Sequence, residues 1–166
     1  MATIDRLIAM RMGKEEMRRR CRVVGLAIMR ESGVQGVTHR NRLTGRAYVK
    51  QRYIDAPEPT TRRRLYVFAH ECGHVALAHN RSTPAYIKEY EAEQYAHAAL
   101  RRHGIAVPRK ETDRAKRYVA LKIHRAVRRG QKKPLDKKIL KWCGDHLSKE
   151  TRQWLAAHAR WQPRCT

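Results

Sequence analysis

Two histidines one helical turn apart are the residues of this chain best suited to chemistry. His70 and His74, with Glu71, form the pattern His-Glu-x-x-His. Residues four apart share one face of a helix, so both imidazoles can reach one cation. A zinc ion held there lowers the pKa of water, and an adjacent carboxylate can take the proton as that water attacks a carbonyl. The motif predicts a zinc site with Glu71 as catalytic base; the alternative is two core or surface histidines beside an incidental glutamate.

A catalytic zinc site needs a third protein ligand and an open fourth position. His79 lies five residues beyond His74, which on a continuous helix turns it about 140° away, so we expect a helix-end residue. Glu89 and Glu93 share one face of the next predicted helix, whereas Glu91 points about 160° from them. We expect Glu89 to bind zinc and Glu93 to accept a hydrogen bond from a ligating histidine. The reverse division and a solvated acidic face are the alternatives.

Peptide hydrolysis also needs a donor that stabilises the developing oxyanion. The residues that could supply it are Tyr53, Tyr95, His97 and His103, and the sequence does not separate them. A predicted strand near residues 48–54 could pair with an extended substrate by adding a strand to the sheet. The alternative for that strand is a purely structural edge.

The segments that must position these residues are mostly helical. Between residues 14 and 31, apolar side chains recur at three- and four-residue steps, which is typical of a helix packed on a core. A turn-rich stretch and alternating residues between Gly33 and Asp55 predict a β-hairpin. The predicted helices span residues 3–11, 14–31, 61–79, 84–103, 111–129, 135–146 and 148–160.

This pattern predicts an α+β fold that is mostly α. We expect a core at residues 1–108, in which a small hairpin or sheet precedes the active-site helix. Residues 109–166 form a basic helical extension packed on that core, unless the whole chain is a single domain.

Charge is the strongest compositional feature of the chain. Its 166 residues include 38 Lys and Arg against 15 Asp and Glu, for a formal net charge of +23. A polyanion is the natural partner for such a surface, and nucleic acid is the commonest one. The alternative is a charge that only keeps the protein soluble. Within residues 70–100, by contrast, four glutamates outnumber one arginine and one lysine.

Three basic clusters are the predicted nucleic-acid contacts, and solvated faces are the alternative for each. No base-recognition motif is evident, so we expect non-specific phosphate contacts that weaken with salt. The predicted contact residues are Arg18, Arg19, Arg20, Arg22, Arg62, Arg63, Arg64, Lys116, Arg117, Lys122, Arg125, Arg128 and Arg129.

Cysteine usage and hydropathy predict a cytoplasmic protein. The four cysteines are scattered and form no Cys-x-x-Cys pair, which favours reduced thiols over a disulfide framework. The first residues lack the apolar run and cleavage site of a signal peptide. No stretch of about 18 apolar residues is present, so we expect no membrane span.

The two glutamate-containing motifs together resemble the ImmA/IrrE family of zinc-dependent peptidases. His-Glu-Cys-Gly-His at residues 70–74 is followed by Glu-Tyr-Glu-Ala-Glu-Gln-Tyr-Ala at residues 89–96. The strand-rich stretch ending at Asp55 and the arginines of residues 62–64 also fit the family's approach to the first motif. The resemblance covers about residues 35–100.

The resemblance implies a zincin-like core, Zn2+ as cofactor and Glu89 as third ligand. Members of the family cleave or inactivate repressor-type regulators, sometimes in mobile elements or stress responses. The chain departs from the family in two places: residues 100–103 only loosely match a Leu-x-Pro-like segment, and no separate DNA-binding module is recognisable. The Spartan/SprT-like proteases of DNA–protein crosslinks share the first motif and suit the basic charge, but the Glu89 helix fits them less well.

These observations predict a zinc-dependent endopeptidase whose substrate is a regulator or a nucleic-acid-associated protein. One alternative is a nucleic-acid-binding protein with a structural or inactive zinc site. Another is an anti-restriction or host-takeover protein that acts by protein contact alone.

Overall fold

The chain is an α+β protein dominated by helices, as predicted, in a computed structural model that describes residues 13–158. One three-stranded sheet lies between the first two helices in the chain order. The elements are α1 (Lys14–Ser32), β1 (Gly36–His39), β2 (Arg46–Tyr48), β3 (Tyr53–Ala56), α2 (Arg62–Ala76), α3 (Ala85–Arg102), α4 (Arg109–Arg128), α5 (Lys137–Cys143) and α6 (Lys149–Ala157).

Local capping chemistry explains where the helices begin and end. The Thr61 hydroxyl accepts a hydrogen bond from the Arg64 N–H at 3.2 Å and so caps the start of α2. Gly33 ends α1 with φ 73°, a left-handed conformation that glycine adopts without strain. The predicted helix at residues 3–11 and the last residues of the predicted helix at 148–160 lie outside the described residues.

The predicted hairpin between Gly33 and Asp55 is wrong in its pairing. β1 does not pair with the strand that follows it; it pairs in parallel with β3, and β2 pairs antiparallel with β3, in the order β1-β3-β2. The run expected as one strand is two strands joined by a 3-10 turn at Val49–Gln51. Arg52, with φ 49°, closes this turn, and no glycine or asparagine marks it in the sequence.

The first hydrophobic core lies where α1, β3, α2 and the second half of α3 meet. Its fully buried members include Ile28, Ile54, Leu65, Phe68 and Leu100. Within the His-Glu-x-x-His motif, a glycine allows α2 and α3 to approach closely. A Cβ added at position 73 would lie 3.1 Å from the Cβ of the Tyr95 side chain, tighter than ordinary packing contact. The motif helix and the glutamate helix are therefore pressed together at the level of the site.

A second hydrophobic core joins α4, α5 and α6 to the first half of α3. Tyr86 and Tyr90 of α3 pack there with Val119, Ile123 and Ile139. One helix thus contributes to both cores, its start to the second and its end to the first. The structure does not test the predicted boundary after residue 108, which stays a prediction.

Two expectations from the sequence concern the state of the cysteines and the presence of a membrane span. Cys21, Cys72 and Cys143 are free and buried, and Cys165 lies outside the described residues. Within residues 13–158, no helix is both long and apolar enough to cross a membrane.

Removing a buried side chain from the first core should destabilise the whole protein. Leu65 is fully buried, so Leu65→Ala should lower the free energy of unfolding by about 2–5 kcal/mol. Leu121→Ala is the matched control, because Leu121 is 41% exposed and its loss should change stability by less than about 0.5 kcal/mol. Urea denaturation followed by circular dichroism measures both. Equal effects of the two substitutions would contradict this core assignment.

Candidate metal centre

Three side chains from α2 and α3 converge on one point. Nε2 of His70 lies 3.2 Å from Nε2 of His74, and Oε2 of Glu89 lies 3.3 Å and 3.7 Å from these two nitrogens. Ligands about 2.0–2.2 Å from a tetrahedral zinc ion lie roughly 3.3–3.5 Å from one another. The triangle of donor atoms therefore matches the face of such a site. Within the described part of the chain it is the one group of histidine, cysteine or acidic side chains with this arrangement.

The other nitrogen of His74 is fixed by a chain of two further residues. Nε2 of His79 lies 2.9 Å from Oε2 of Glu91, and a carboxylate accepts, so this nitrogen carries the proton. In the tautomer with the proton on that nitrogen, Nδ1 of His79 is an acceptor, and Nδ1 of His74 lies 2.8 Å away. His74 must donate there, which leaves the lone pair of its Nε2 directed at the cluster.

A turn at the end of α2 brings His79 back to His74. Ala78 adopts a left-handed conformation with φ 49°. Its N–H bonds to the Val75 carbonyl, and the His79 N–H bonds to the His74 carbonyl at 3.2 Å, which is the Schellman pattern. Because the helix stops here, the angular separation expected of a continuous helix does not apply. His79 is a helix-end residue as predicted, but it supports a ligand instead of facing away from the site.

Glu93 lies behind the other histidine. Its Oε1 is 3.2 Å from Nδ1 of His70, close but not well aligned for a hydrogen bond, and no other partner satisfies this buried nitrogen. The Tyr66 hydroxyl donates to the other oxygen of Glu93. Tyr66 precedes His70 by one helical turn, so the two share a face of α2. A proton on Nδ1 of His70 faces the carboxylate, and the lone pair of Nε2 is again left for the cluster.

These contacts direct three electron-rich atoms at one another. When both Nε2 atoms are unprotonated, two imidazole lone pairs and a carboxylate oxygen at this separation repel unless a proton or a metal cation lies among them. Burial acts to lower the pKa of His70, but its close contacts with the carboxylates of Glu89 and Glu93 outweigh it and raise the pKa well above its ordinary value. For Glu89, burial acts to raise the pKa, but its contacts with His70 and His74 hold it well below the usual range. The donor set thus attracts positive charge and fits a zinc ion.

Glu71 is buried beside this group and is held by the loop between β1 and β2. A Cβ added at Gly45 would lie 2.6 Å from Oε1 of Glu71, so only glycine leaves room for that carboxylate. Burial raises the pKa of Glu71 to about 7; His70 opposes the shift, and Glu89 and Glu93 add to it. A carboxyl group with such a pKa can both accept and donate a proton near neutral pH.

Lys122 of α4 contacts the ligand carboxylate from the other side. Its Nζ is 3.4 Å from Oε1 of Glu89 and 4.7 Å from the centre of the Tyr118 ring. With one oxygen of Glu89 facing the lysine and the other facing the imidazoles, the carboxylate offers a single oxygen to the cluster. Lys122 was predicted as a nucleic-acid contact, but it lies against the candidate metal centre.

The predicted oxyanion donors do not gather at the cluster. His103 pairs with Glu31 of α1 at 2.9 Å and lies fourteen residues, about 21 Å along α3, from Glu89. Tyr95 packs against Gly73 between the two helices. The contacts found for these two side chains are with α1 and α2 and not with the imidazoles, and an oxyanion-stabilising role for either stays a prediction. His97 stacks edge-on against Tyr66 at 5.3 Å, behind Glu93. Tyr53 bonds to Thr38 across the β1–β3 pair.

Several of the predicted phosphate-contacting arginines have partners within the protein. Arg18 pairs with Glu15, Arg22 with Glu58, and Arg63 with the buried Glu111. Arg20 donates to the carbonyl of Gly104 at 2.9 Å. Arg114, from the same basic helix as the third cluster, also pairs with Glu111. The contacts of Arg20, Arg22 and Arg63 join α1 and α2 to other parts of the structure, whereas the Arg18 and Arg114 pairs lie within single helices.

Four supporting residues were not predicted from the sequence. Tyr66 alone carried a local signal, because it is spaced one turn before His70 on a predicted helix. The contacts of Gly45, His79 and Lys122 depend on chain turns and helix packing that local patterns do not show. They are visible only once α2, α3 and α4 are placed together.

Comparison with known proteins does not assign the chain to a family. No protein-family model matches it, and searches of curated proteins and of solved structures find no match. What the cluster can do therefore has to follow from its own residues and geometry.

Zinc affinity should depend on Glu89 and, to a smaller extent, on His79. Glu89→Ala removes a donor atom and should abolish binding of one Zn2+, measured by calorimetric titration of the metal-free protein. His79→Ala removes the acceptor for Nδ1–H of His74 and should weaken binding about 10–100-fold. His103→Ala is the control, since its partner is the distant Glu31. If His79→Ala binds zinc as tightly as the unaltered protein, His79 does not orient the ligand.

Proposed function

We propose that the chain is a zinc-dependent endopeptidase with His70, His74 and Glu89 as ligands and Glu71 as general base. The observation that carries the proposal is the convergence of two imidazole nitrogens and one carboxylate oxygen within 3.2–3.7 Å of each other. Three protein ligands are also what a catalytic zinc site uses, since a structural site commonly uses four.

The buried glutamate supplies the proton transfers that hydrolysis requires. A zinc ion at this centre, when bound, polarises a carbonyl and lowers the pKa of water. Glu71 accepts the proton of the attacking water and returns it to the amine of the leaving peptide. The Gly45 loop holds this carboxylate in place, and in the metal-free protein its pKa is about 7. Lys122 orients Glu89 from the opposite side.

We infer a zincin-like core of the ImmA/IrrE type around this centre. What supports the inference is the order of the parts: a small sheet, the helix with His70 and His74, and the next helix with Glu89. β2 is an edge strand whose preceding residue, Gly45, touches Glu71. An extended substrate added along β2 would pass the general base. The substrate we propose is a protein, either a regulator or a nucleic-acid-associated protein.

Nucleic acid is the partner we propose for the exposed basic surface away from the centre. The support is the net charge of +23 and exposed arginines such as Arg19 and Arg117. Such contacts are to phosphate and carry no sequence preference. Free, buried thiols at Cys21, Cys72 and Cys143 favour a reducing, cytoplasmic setting for this activity.

Replacing the general base separates a peptidase from a protein with a structural or inactive zinc site. Glu71→Gln keeps the side-chain volume and all three ligands, so zinc content should not change. Hydrolysis of unfolded casein or of a quenched-fluorescent peptide library should fall at least about 100-fold. Glu16→Gln, at an exposed position of α1, is the matched control. Zinc-loaded protein without any hydrolysis, unaltered or substituted, would favour the nucleic-acid-binding alternative.

The glycine behind Glu71 should be as important to turnover as the glutamate itself. Gly45→Ala places a methyl group within 2.6 Å of Oε1 of Glu71 and must displace that carboxylate. We expect turnover to fall at least about tenfold, because misplacing a catalytic group by about 1 Å has effects of this size or larger. Zinc content and thermal stability should stay near those of the unaltered protein. Gly13→Ala, which meets no atom within 4 Å, is the control. Full activity of the Gly45 variant would show that Gly45 does not fix the catalytic position of Glu71.

A further inference from the structure

A basic cavity adjoins the candidate metal centre. Its volume is about 340 Å³, at the lower end of ligand-site volumes, which suits a short segment of chain. One wall is residues 84–86 at the start of α3, and the other is the face of α4 with Lys122, Arg125 and Arg129. Lys132, beyond the end of α4, completes the rim. No aspartate or glutamate lines the cavity.

Three of the four cationic side chains that line this cavity are available to an outside anion. In residues 13–158, Arg125, Arg129 and Lys132 form no ion pair with a carboxylate, unlike Arg22 and Arg63 elsewhere. Both arginines are exposed at their positions on α4. Three unpaired cations around one concave site favour an anionic occupant of matching size.

Lys122 connects the cavity to the metal centre. It lines the cavity, and its Nζ contacts Oε1 of the ligand Glu89 at 3.4 Å. Ala85 of the opposite wall precedes Glu89 by one helical turn, about 6 Å. Lys122 therefore belongs both to the wall of the cavity and to the surroundings of the proposed ligand Glu89.

We propose that this cavity binds acidic side chains of the polypeptide substrate, next to the bond that is cleaved. The inference rests on the proposed peptidase function and adds a substrate preference to it. From Lys122 to Arg129 the helix rises about 10 Å, which an extended peptide spans in about three residues. Acidic residues about two to four positions from the cleaved bond would meet these cations. A duplex nucleic acid is wider than the cavity and would contact only its rim.

The test measures binding without turnover, so that its outcome is independent of catalysis. The zinc-loaded Glu71→Gln protein is titrated against a fluorescein-labelled octaglutamate peptide at low ionic strength, followed by fluorescence anisotropy. Arg125→Glu/Arg129→Glu should weaken peptide binding at least about tenfold. Arg125→Gln/Arg129→Gln provides a milder second variant if charge reversal disturbs folding, and it should weaken binding in the same direction.

A control variant with the same change in charge distinguishes an effect of the cavity from an effect of the protein's net charge. Lys110→Glu/Arg117→Glu changes the charge by the same amount at exposed positions of α4, and Arg117 lies about 140° around the helix from Lys122. This variant should keep peptide affinity within about twofold. Equal weakening by both double variants, or by neither, overturns the proposal.

Single-stranded DNA is the second probe. A labelled 20-nucleotide strand should lose affinity to a similar extent in the cavity variant and in the control, because both remove the same charge. If the cavity variant loses DNA binding selectively and keeps peptide binding, the cavity is a nucleic-acid site and the proposal is wrong. Failure of the unaltered protein to hydrolyse peptides, with the peptide-binding result intact, would instead count against the peptidase function alone.

Discussion

The close approach of three atoms that can bind a metal is the constraint around which this structure is organised. Nε2 of His70, Nε2 of His74 and Oε2 of Glu89 come from two helices and face one another at 3.2–3.7 Å. Each is held there by a partner on its far side: Glu93, His79 and Lys122 respectively. Without those partners the imidazoles could rotate or change tautomer, and the carboxylate could turn its other oxygen inward. The arrangement is stable where a cation occupies the centre.

Holding polar groups in this position requires rigid surroundings. α2 and α3 approach closely at Gly73, and both cores of the protein meet along α3. Burying the carboxylates of Glu71 and Glu93 is unfavourable on its own, and their contacts with Gly45 and Tyr66 leave them little freedom. The left-handed conformation of Ala78 adds local backbone strain. It occurs at the turn that brings His79 back to the proposed ligand His74.

The basic side chains of the molecule have two kinds of surroundings. Part of the basic charge is used internally, as in the pairs Arg22–Glu58 and Arg63–Glu111, which join helices to each other or to loops. The part that lies on α4 near the centre faces a cavity without acidic residues. The same helix therefore positions a ligand through Lys122 and presents unpaired cations beside it. A net charge counted along the sequence does not distinguish these roles.

The sequence by itself predicted the helices and the pairing of His70 with His74 on one helix face. It also predicted that the third ligand is a glutamate of the next helix. These follow from periodicity and helix pitch, which are properties of nearby residues. Tertiary structure decided how β1, β2 and β3 pair, because strand order depends on the path of the whole chain. It also decided that Lys122 contacts Glu89 and that Glu91 contacts His79, because the two residues of each pair lie on different parts of the chain. Local patterns specify which side chains share a face, but only packing decides which faces meet.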